Sequence, residues 1–218
     1  VSHPLRKRSE SFLLLFFKKE VLSSLMKLIL ASGSSARRTM LENAWLAFTA
    51  IPSTFDEDTA KLAWAGAHAG LAQSLAAGKA RDVSARYPGA LVIGADQILV
   101  CEGQRFSKPA GLAGAAAQLR ALRGHAHDLV TAVCVVRDGL VLWQQTSVPR
   151  LAMRDVSDDF ISHYLASEGE AICACVGAYR LEGRGIQLFD TVEGDYFSIL
   201  GMPLLALLTF LRQAMALD

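Results

Sequence analysis

The stretch ALVIGADQILVCEGQRFSKP, Ala90 to Pro109, decides how the rest of the chain is read. An apolar run, Leu91-Val92-Ile93, ends at Gly94 and delivers a carboxylate, Asp96, before a second apolar run, Ile98-Leu99-Val100, continues. Burying an ionised carboxylate without a partner is costly, so Asp96 is expected either paired or at the mouth of a site that holds a cation. Glu102-Gly103-Gln104 supplies turn chemistry, and Lys108 precedes Pro109. The simplest geometry is a hairpin that brings Asp96 and Lys108 to one end of a sheet. A carboxylate and an ammonium there, near Gly94, suit a metal and a polyanion; a structural salt bridge between the two is the alternative.

Composition bounds what surrounds this stretch. A chain of 218 residues with 52% hydrophobic content makes one large domain or two small lobes with a real core, and argues against disorder. The net charge of +1 gives no general pull towards nucleic acid, membrane or acidic partners, so an anion site must come from local placement of cations. Aromatic-basic patches of the kind a nucleic-acid binder needs are absent from the sequence. Cys101, Cys134, Cys173 and Cys175 fit neither a disulfide framework nor a C-x-x-C pattern. They read as reduced, mostly buried cytosolic thiols, with a C-x-C metal pair at Cys173 and Cys175 as the alternative.

Towards the N-terminus, residues 1–25 join a basic opening, Arg6-Lys7-Arg8, to a short apolar run from Phe12 to Phe17 and then Lys18-Lys19-Glu20. This imitates a signal peptide, but charges follow the run at once, no A-x-A site stands at the right distance, and a membrane helix needs about 20 apolar residues. The segment is expected to be a translated upstream extension, with Val1 reflecting an alternative start codon and the domain running over 26–218. Met26 opens Lys27-Leu28-Ile29-Leu30-Ala31-Ser32, which reads as a first strand. A small-residue loop, Ser32 to Ser35, then leads into a helix bearing Arg37 and Arg38. Free N–H groups at a helix start, hydroxyls and a guanidinium make a plausible anion cradle. Asp56, Glu57 and Asp58 form an acidic loop that can hold a hard divalent cation or cap the next helix. Residues 60–85, rich in alanine, read as helix interrupted by Gly66, Gly70 and Gly78, with Lys79 inside it.

Beyond the central hairpin, a short amphipathic helix over 113–122 is expected to end at Gly124, followed by the pair His125 and His127. Two strands flank the Asp138-Gly139 turn, residues 146–155 read as another strand, and Ser157 caps a helix through Phe160 and Tyr164. The last third, GAYRLEGRGIQLFDTVEGDYFSILGMPL over 177–204, reads as short strands punctuated by glycines, after which Pro203 opens an apolar helix over 204–215.

Taken together, these motifs resemble the Maf family of nucleoside triphosphate pyrophosphatases. The resemblance rests on L-A-S-x-S-x-x-R-R at 30–38, D-E at 56–57, K-A at 79–80, G-A-D at 94–96, K-P at 108–109, G-x-x-H at 124–127, G-A-Y-x-x-E-G at 177–183, and then E-G-D-Y-F and G-x-P-L. Ser35 stands where the family usually has proline. The resemblance implies an α/β fold, an elongated mixed sheet with flanking helices and two lobes around a central cleft, similar to inosine triphosphatase. It also implies a cytoplasmic homodimer dependent on Mg2+ or Mn2+ that converts a nucleoside triphosphate and water to the monophosphate and pyrophosphate. Carried over residue by residue, Asp96 becomes the proton acceptor, Glu57 and Asp96 the metal ligands, and Ser32, Arg37, Lys79 and Lys108 the phosphate-binding residues.

Substrate choice within the resemblance turns on Ala36, Gln97 and Glu182. The thymidine- and uridine-triphosphate branch carries arginine, threonine and glutamine there, whereas Gln97 with Glu182 is similar to the branch acting on 7-methylguanosine triphosphate. A carboxylate accepts hydrogen bonds from a guanine N1–H and N2–H₂ edge and favours a cationic methylated purine. The alternatives are a pyrophosphatase of the dTTP/UTP type, or a nucleotide-sensing, septum-regulating binding protein without turnover.

Overall fold

The computed structural model describes residues 27–215; the expected extension over 1–25 and the start at Met26 lie outside them. One mixed sheet of eight strands organises the molecule, in the order β2-β1-β3-β5-β7-β8, with β4 pairing β3 and β6 pairing β5. Its axis is the antiparallel pair of long strands β3 (Leu91–Cys101) and β5 (Ala126–Arg137), in register from Val92 opposite Val136 to Cys101 opposite His127. Both strands run nearly unbroken in buried residues, as strands covered on both faces must.

Everything else is hung on the two halves of that pair. At one half, β1 (Leu28–Leu30) runs parallel to β3, β2 (Thr49–Ala50) runs parallel to β1, and β6 (Leu140–Ser147) pairs with β5. At the other half, β4 (Gln104–Phe106) pairs with β3, while β7 (Arg150–Met153) pairs with β5 and with β8 (Phe189–Glu193). The sequence expectation of an elongated mixed sheet with two lobes therefore holds. The strand expected over 146–155 is two shorter pieces, because β6 ends at Ser147 and β7 begins at Arg150.

Helices cover the sheet on both faces. Helix α1 (Ser35–Asn43) and the C-terminal α7 (Leu204–Met215) close one face of the first half with Met40, Leu41, Leu207 and Leu211. On the opposite face, α3 (His68–Ser84) lays Leu71, Ala72, Leu75, Ala76, Ala80 and Val83 on β3 and β5. These residues recur at three- and four-residue spacing and so share one face of the helix. The second half is closed by α4 (Gly111–Leu122) and α5 (Asp158–Glu168), which bury Leu119, Leu122, Ile161 and Tyr164. Burial of each large aliphatic side chain contributes about 1.5–3 kcal/mol.

Local sequence explains most boundaries. Ser34 and Ser157 accept hydrogen bonds from the N–H groups of Arg37 and Phe160 and so cap α1 and α5. Glu102-Gly103 and Asp138-Gly139 all have positive φ, as two-residue hairpin turns require. Two expectations are corrected. Gly70 and Gly78 do not interrupt α3; a Cβ there would lie 2.8 Å from the Trp64 ring and 2.6 Å from the Phe55 ring, so they are helix positions cleared for aromatic side chains. The interruption expected at Gly66 does occur, since that glycine lies in the break between α2 (Glu57–Leu62) and α3. Between Gly169 and Leu188 there are 3-10 turns rather than short strands, and β8, the short helix α6 (Tyr196–Ile199) and α7 follow.

Candidate active site

The sheet has a gap on one edge of β3. Strand β1 pairs with it up to Ile93 and β4 pairs from Leu99 onward, so among the described residues Gly94 to Ile98 lack a strand neighbour on that side. Asp96 and Gln97 lie in this interval, where the two halves of the molecule meet. A cleft of about 820 Å³ opens over it, lined by residues of α1, α2, α3, β3, the loop after β4 and the 174–182 and 199–201 segments.

Helix α3 supplies the first charge. Its backbone comes so close to β3 that a Cβ on Gly94 would stand 2.1 Å from the Ala76 carbonyl oxygen, a distance only glycine permits. This approach brings Lys79, one turn further along, over the strand: its Nζ lies 2.7 Å from Asp96 Oδ1. The same Nζ lies 2.9 Å from Glu57 Oε2. Asp96 is 6% exposed, and its second oxygen, Oδ2, is buried with no hydrogen-bond partner among the described residues. The ion pair weighed between Asp96 and Lys108 is thus corrected. Lys79, 17 residues upstream, is the partner, and Lys108 stands exposed on the cleft wall.

Glu57 reaches the site from a tethered loop. Asp82 of α3 accepts from Ser53 Oγ at 2.9 Å, Thr54 N at 2.9 Å and Thr54 Oγ1 at 3.1 Å, which fastens the chain after β2 to α3. Asp56 caps α2 by accepting from Thr59 N at 3.0 Å, and Glu57 is therefore the first residue of that helix. All three acids of the loop line the cleft, with Asp56 capping α2 and Glu57 reaching Lys79. Partial burial works to raise the Glu57 carboxyl, but the Lys79 ammonium, with Lys61 behind it, more than offsets this and holds it below the ordinary carboxylate value.

The first loop adds a guanidinium. Ser32 Oγ accepts from Ser34 N at 3.2 Å and from Arg37 Nη1 at 3.3 Å, and Arg37 Nε donates to the Gly201 carbonyl at 2.9 Å. Gly201 has φ +110°, and a Cβ on it would crowd Arg37 Nε at 3.3 Å. Burial lowers the Arg37 pKa, with Asp96 and Glu57 acting in the opposite direction across the cleft. Arg38 is exposed and does not line the cleft.

The residues expected to read a base also line the cleft. Gln97 Nε2 lies 2.8 Å from Thr131 Oγ1 and 3.0 Å from the carbonyl oxygens of both Ser198 and Ile199. With the amide nitrogen committed to these acceptors, Oε1 is left as the free end of a cleft-lining side chain. Glu182 is exposed on the facing segment, and Ala36 sits at the start of α1. The structure therefore brings Ala36, Arg37, Glu57, Lys79, Asp96, Gln97, Lys108 and Glu182 to one cleft, with Ser32 behind Arg37.

Several residues of this region were not singled out in the sequence. Lys61, Arg105 and Arg180 line the same cleft, and Asp82 anchors its acidic loop. Arg180 had a signal, its place in the glycine-punctuated stretch; Asp82 had none, since its partners lie 28 and 29 residues away.

The histidine pair separates. His125 is exposed and 3.3 Å from Glu102, whereas His127 is 1% exposed and its Nε2 lies 2.8 Å from Tyr179 Oη. No group of three or more His, Cys, Asp or Glu able to hold a metal ion occurs among the described residues, and all four cysteines are free thiols. Among those residues no helix is long and apolar enough to cross a membrane.

Comparison with known proteins identifies the family of the chain. A nucleoside triphosphate pyrophosphatase of Granulibacter bethesdensis is 55% identical over 195 residues, covering 88% of this chain and 99% of the relative. One of the same description from Paramagnetospirillum magneticum is 53% identical, covering 85% and 97%. A 7-methyl-GTP pyrophosphatase of Rhizobium etli is 49% identical, covering 88% and 98%. Among solved structures, a dITP/XTP pyrophosphatase of Mycobacterium abscessus aligns over 87% of this chain and 98% of its own at 16% identity and a TM-score of 0.41, too slight a likeness to bear on the fold. The family model described as Maf-like protein matches residues 27–214, and with relatives at this identity the chain belongs to the Maf family.

Proposed function

We infer that the protein hydrolyses a nucleoside triphosphate to the monophosphate and pyrophosphate, with Asp96 as the group that accepts a proton from the attacking water. The observation that carries this reading is the unpartnered Oδ2 of Asp96, buried at the gap in the sheet beneath a cleft whose walls bring cations. A triphosphate carries close to four negative charges, so attack at the α-phosphorus needs positive groups to gather charge and a base to activate water. Arg37, Lys79 and Lys108, with Ser32 steadying Arg37, hold the phosphates in this reading.

The carboxylates fit a hard divalent cation. Glu57 and Asp96 already converge on one ammonium, at 2.9 and 2.7 Å, and Asp96 offers a second oxygen with no protein partner among the described residues. Two carboxylates suit Mg2+ or Mn2+, since such ions keep waters and take substrate phosphate oxygens as their remaining ligands. The ion, when bound, neutralises phosphate charge and polarises the phosphoryl oxygens. Glu57 and Asp96 orient it, and Asp96 divides its two oxygens between that task and the water.

For the base, the reading favours 7-methylguanosine triphosphate over pyrimidines. A Gln97 amide held by Ser198 and Ile199 presents an acceptor to a purine N–H edge, and Glu182 presents a second. Relatives at 49% identity from two rhizobia are described as 7-methyl-GTP pyrophosphatases. The homodimer and the cytoplasmic location implied by the family resemblance belong to the same reading. Pyrophosphate release from a panel of triphosphates with Mg2+ or Mn2+ tests it, with the highest kcat/KM expected for the methylated guanine nucleotide. Binding of the whole panel without turnover of any member would sink it in favour of a sensor.

A further inference from the structure

We propose that Lys79 is a built-in stand-in for the divalent cation, which holds Glu57 and Asp96 together in the nucleotide-free protein and moves to the phosphates when a metal ion takes up the carboxylates. The proposal rests on the reading above that these two carboxylates are the metal ligands. Its ground is the position of one atom. Lys79 Nζ lies 2.9 Å from Glu57 Oε2 and 2.7 Å from Asp96 Oδ1, so the ammonium occupies the point on which both oxygens converge. A lysine that only held phosphate would stand clear of the acids; this one is the bond between the acidic loop and β3.

Two cations cannot share that point. An Mg2+–oxygen distance is about 2.0–2.1 Å, so an ion bound by both carboxylates displaces the ammonium by contact as well as by charge. The site makes displacement possible without disorder. Lysine is a compact charge on a flexible stem with three donors, and the cleft above is where the phosphates lie in the reading above. The displaced ammonium therefore exchanges carboxylate partners for phosphate ones, while Asp96 Oδ2, already without a partner among the described residues, stays available to the water.

The consequence is coupling. Metal alone must break the Lys79 contacts and leave the ammonium without a counter-ion, whereas metal with a triphosphate offers the ammonium a new partner. Each ligand then strengthens the other by the same factor. Titrating Mn2+ into the nucleotide-free full chain measures this directly. Wild type should bind Mn2+ at least about tenfold more weakly than Lys79→Met, and an α,β-methylene triphosphate should strengthen Mn2+ binding by a factor at least about tenfold larger in wild type than in the variant, where only direct phosphate–metal contact remains. Equal or weaker Mn2+ binding by Lys79→Met overturns the stand-in while leaving the metal ligands in place. If neither protein binds Mn2+ with or without the analogue, the metal reading itself falls and the stand-in with it. Because the variant leaves two acids facing each other and its folding could suffer, a second measurement uses wild type alone. Amine acylation read by mass spectrometry should rise several-fold at Lys79 on Mn2+ saturation without nucleotide, and unchanged labelling at saturation overturns the proposal.

Discussion

Two buried polar groups sit on adjacent central strands, and the molecule treats them in opposite ways. Asp96 on β3 faces the gap in the sheet and is paired with the half-buried ammonium of Lys79. His127 on β5 is sealed among Tyr179 and Phe189, with ring centroids 5.6 and 5.8 Å away, and its Nδ1 has no partner among the described residues. Burial pulls the His127 pKa down to about 4, so it is stored neutral. Desolvation penalises charge at both places; one is answered by a counter-ion and the other by giving up the proton. Only the first leaves a group able to do chemistry, which is why the histidine, conspicuous in the sequence, belongs to the scaffold and the aspartate to the cleft.

That contrast can be broken at four points. Replacing Asp96→Asn keeps the shape and removes the base, so turnover should fall by about 10²–10⁴-fold while fold and nucleotide binding persist; a pyrophosphate assay near the wild-type rate would contradict the assignment. At His127 the effect is on stability. The folded pKa of about 4 lies below the unfolded value of 6.5, so the unfolded chain binds the extra proton first and acid favours unfolding. Denaturant melts should lose about 3 kcal/mol between pH 6.5 and 4, and His127→Gln should flatten that part of the curve. Glu57, held below its ordinary value, loses its contribution in the same direction but further into acid.

A third test strikes the packing that sets up the charged pair. Gly94→Ala puts a methyl against the Ala76 carbonyl at 2.1 Å, and a backbone atom cannot swing aside. It should cost about 2–3 kcal/mol by thermal or denaturant melting and should reduce turnover, because the helix that carries Lys79 must retreat from β3. The smallest effect is expected at the base pocket. Gln97→Thr combined with Glu182→Gln should move the kcat/KM ratio of 7-methylguanosine triphosphate to uridine triphosphate by about tenfold towards the pyrimidine, as a change of one or two hydrogen-bonding groups does. An unchanged ratio would mean that the base is read elsewhere.

Local signals in the sequence reached a long way into this structure. The turns at Glu102-Gly103 and Asp138-Gly139, the caps at Ser34 and Ser157, and the helix opened by Pro203 all depend on residues within a few positions of one another. So did the list of cleft residues, which came from motifs. What could not be read was pairing across the fold. Nothing near Asp96 in the chain says that its ion partner is Lys79 rather than Lys108; that follows from the close seating of α3 on Gly94. The glycines at 70 and 78 looked like breaks because their aromatic partners, Trp64 and Phe55, are visible only once the chain has turned back. The segment from 169 to 188 carried glycine and charge without a clear period, and it folded into 3-10 turns that no two-residue or helical alternation would reveal.

The bond from Arg37 Nε to the Gly201 carbonyl joins positions 164 residues apart. On a ribosome the first loop emerges 164 residues before the carbonyl that orients its guanidinium, which comes just ahead of α7. Most of the chain can collapse onto the β3–β5 pair as it appears, since N-terminal parts of a chain begin to fold during synthesis. The phosphate-facing wall cannot be completed until the C-terminal segment has docked, so a polypeptide cut short before Gly201 can have much of its sheet and yet lack the fixed arginine of the cleft.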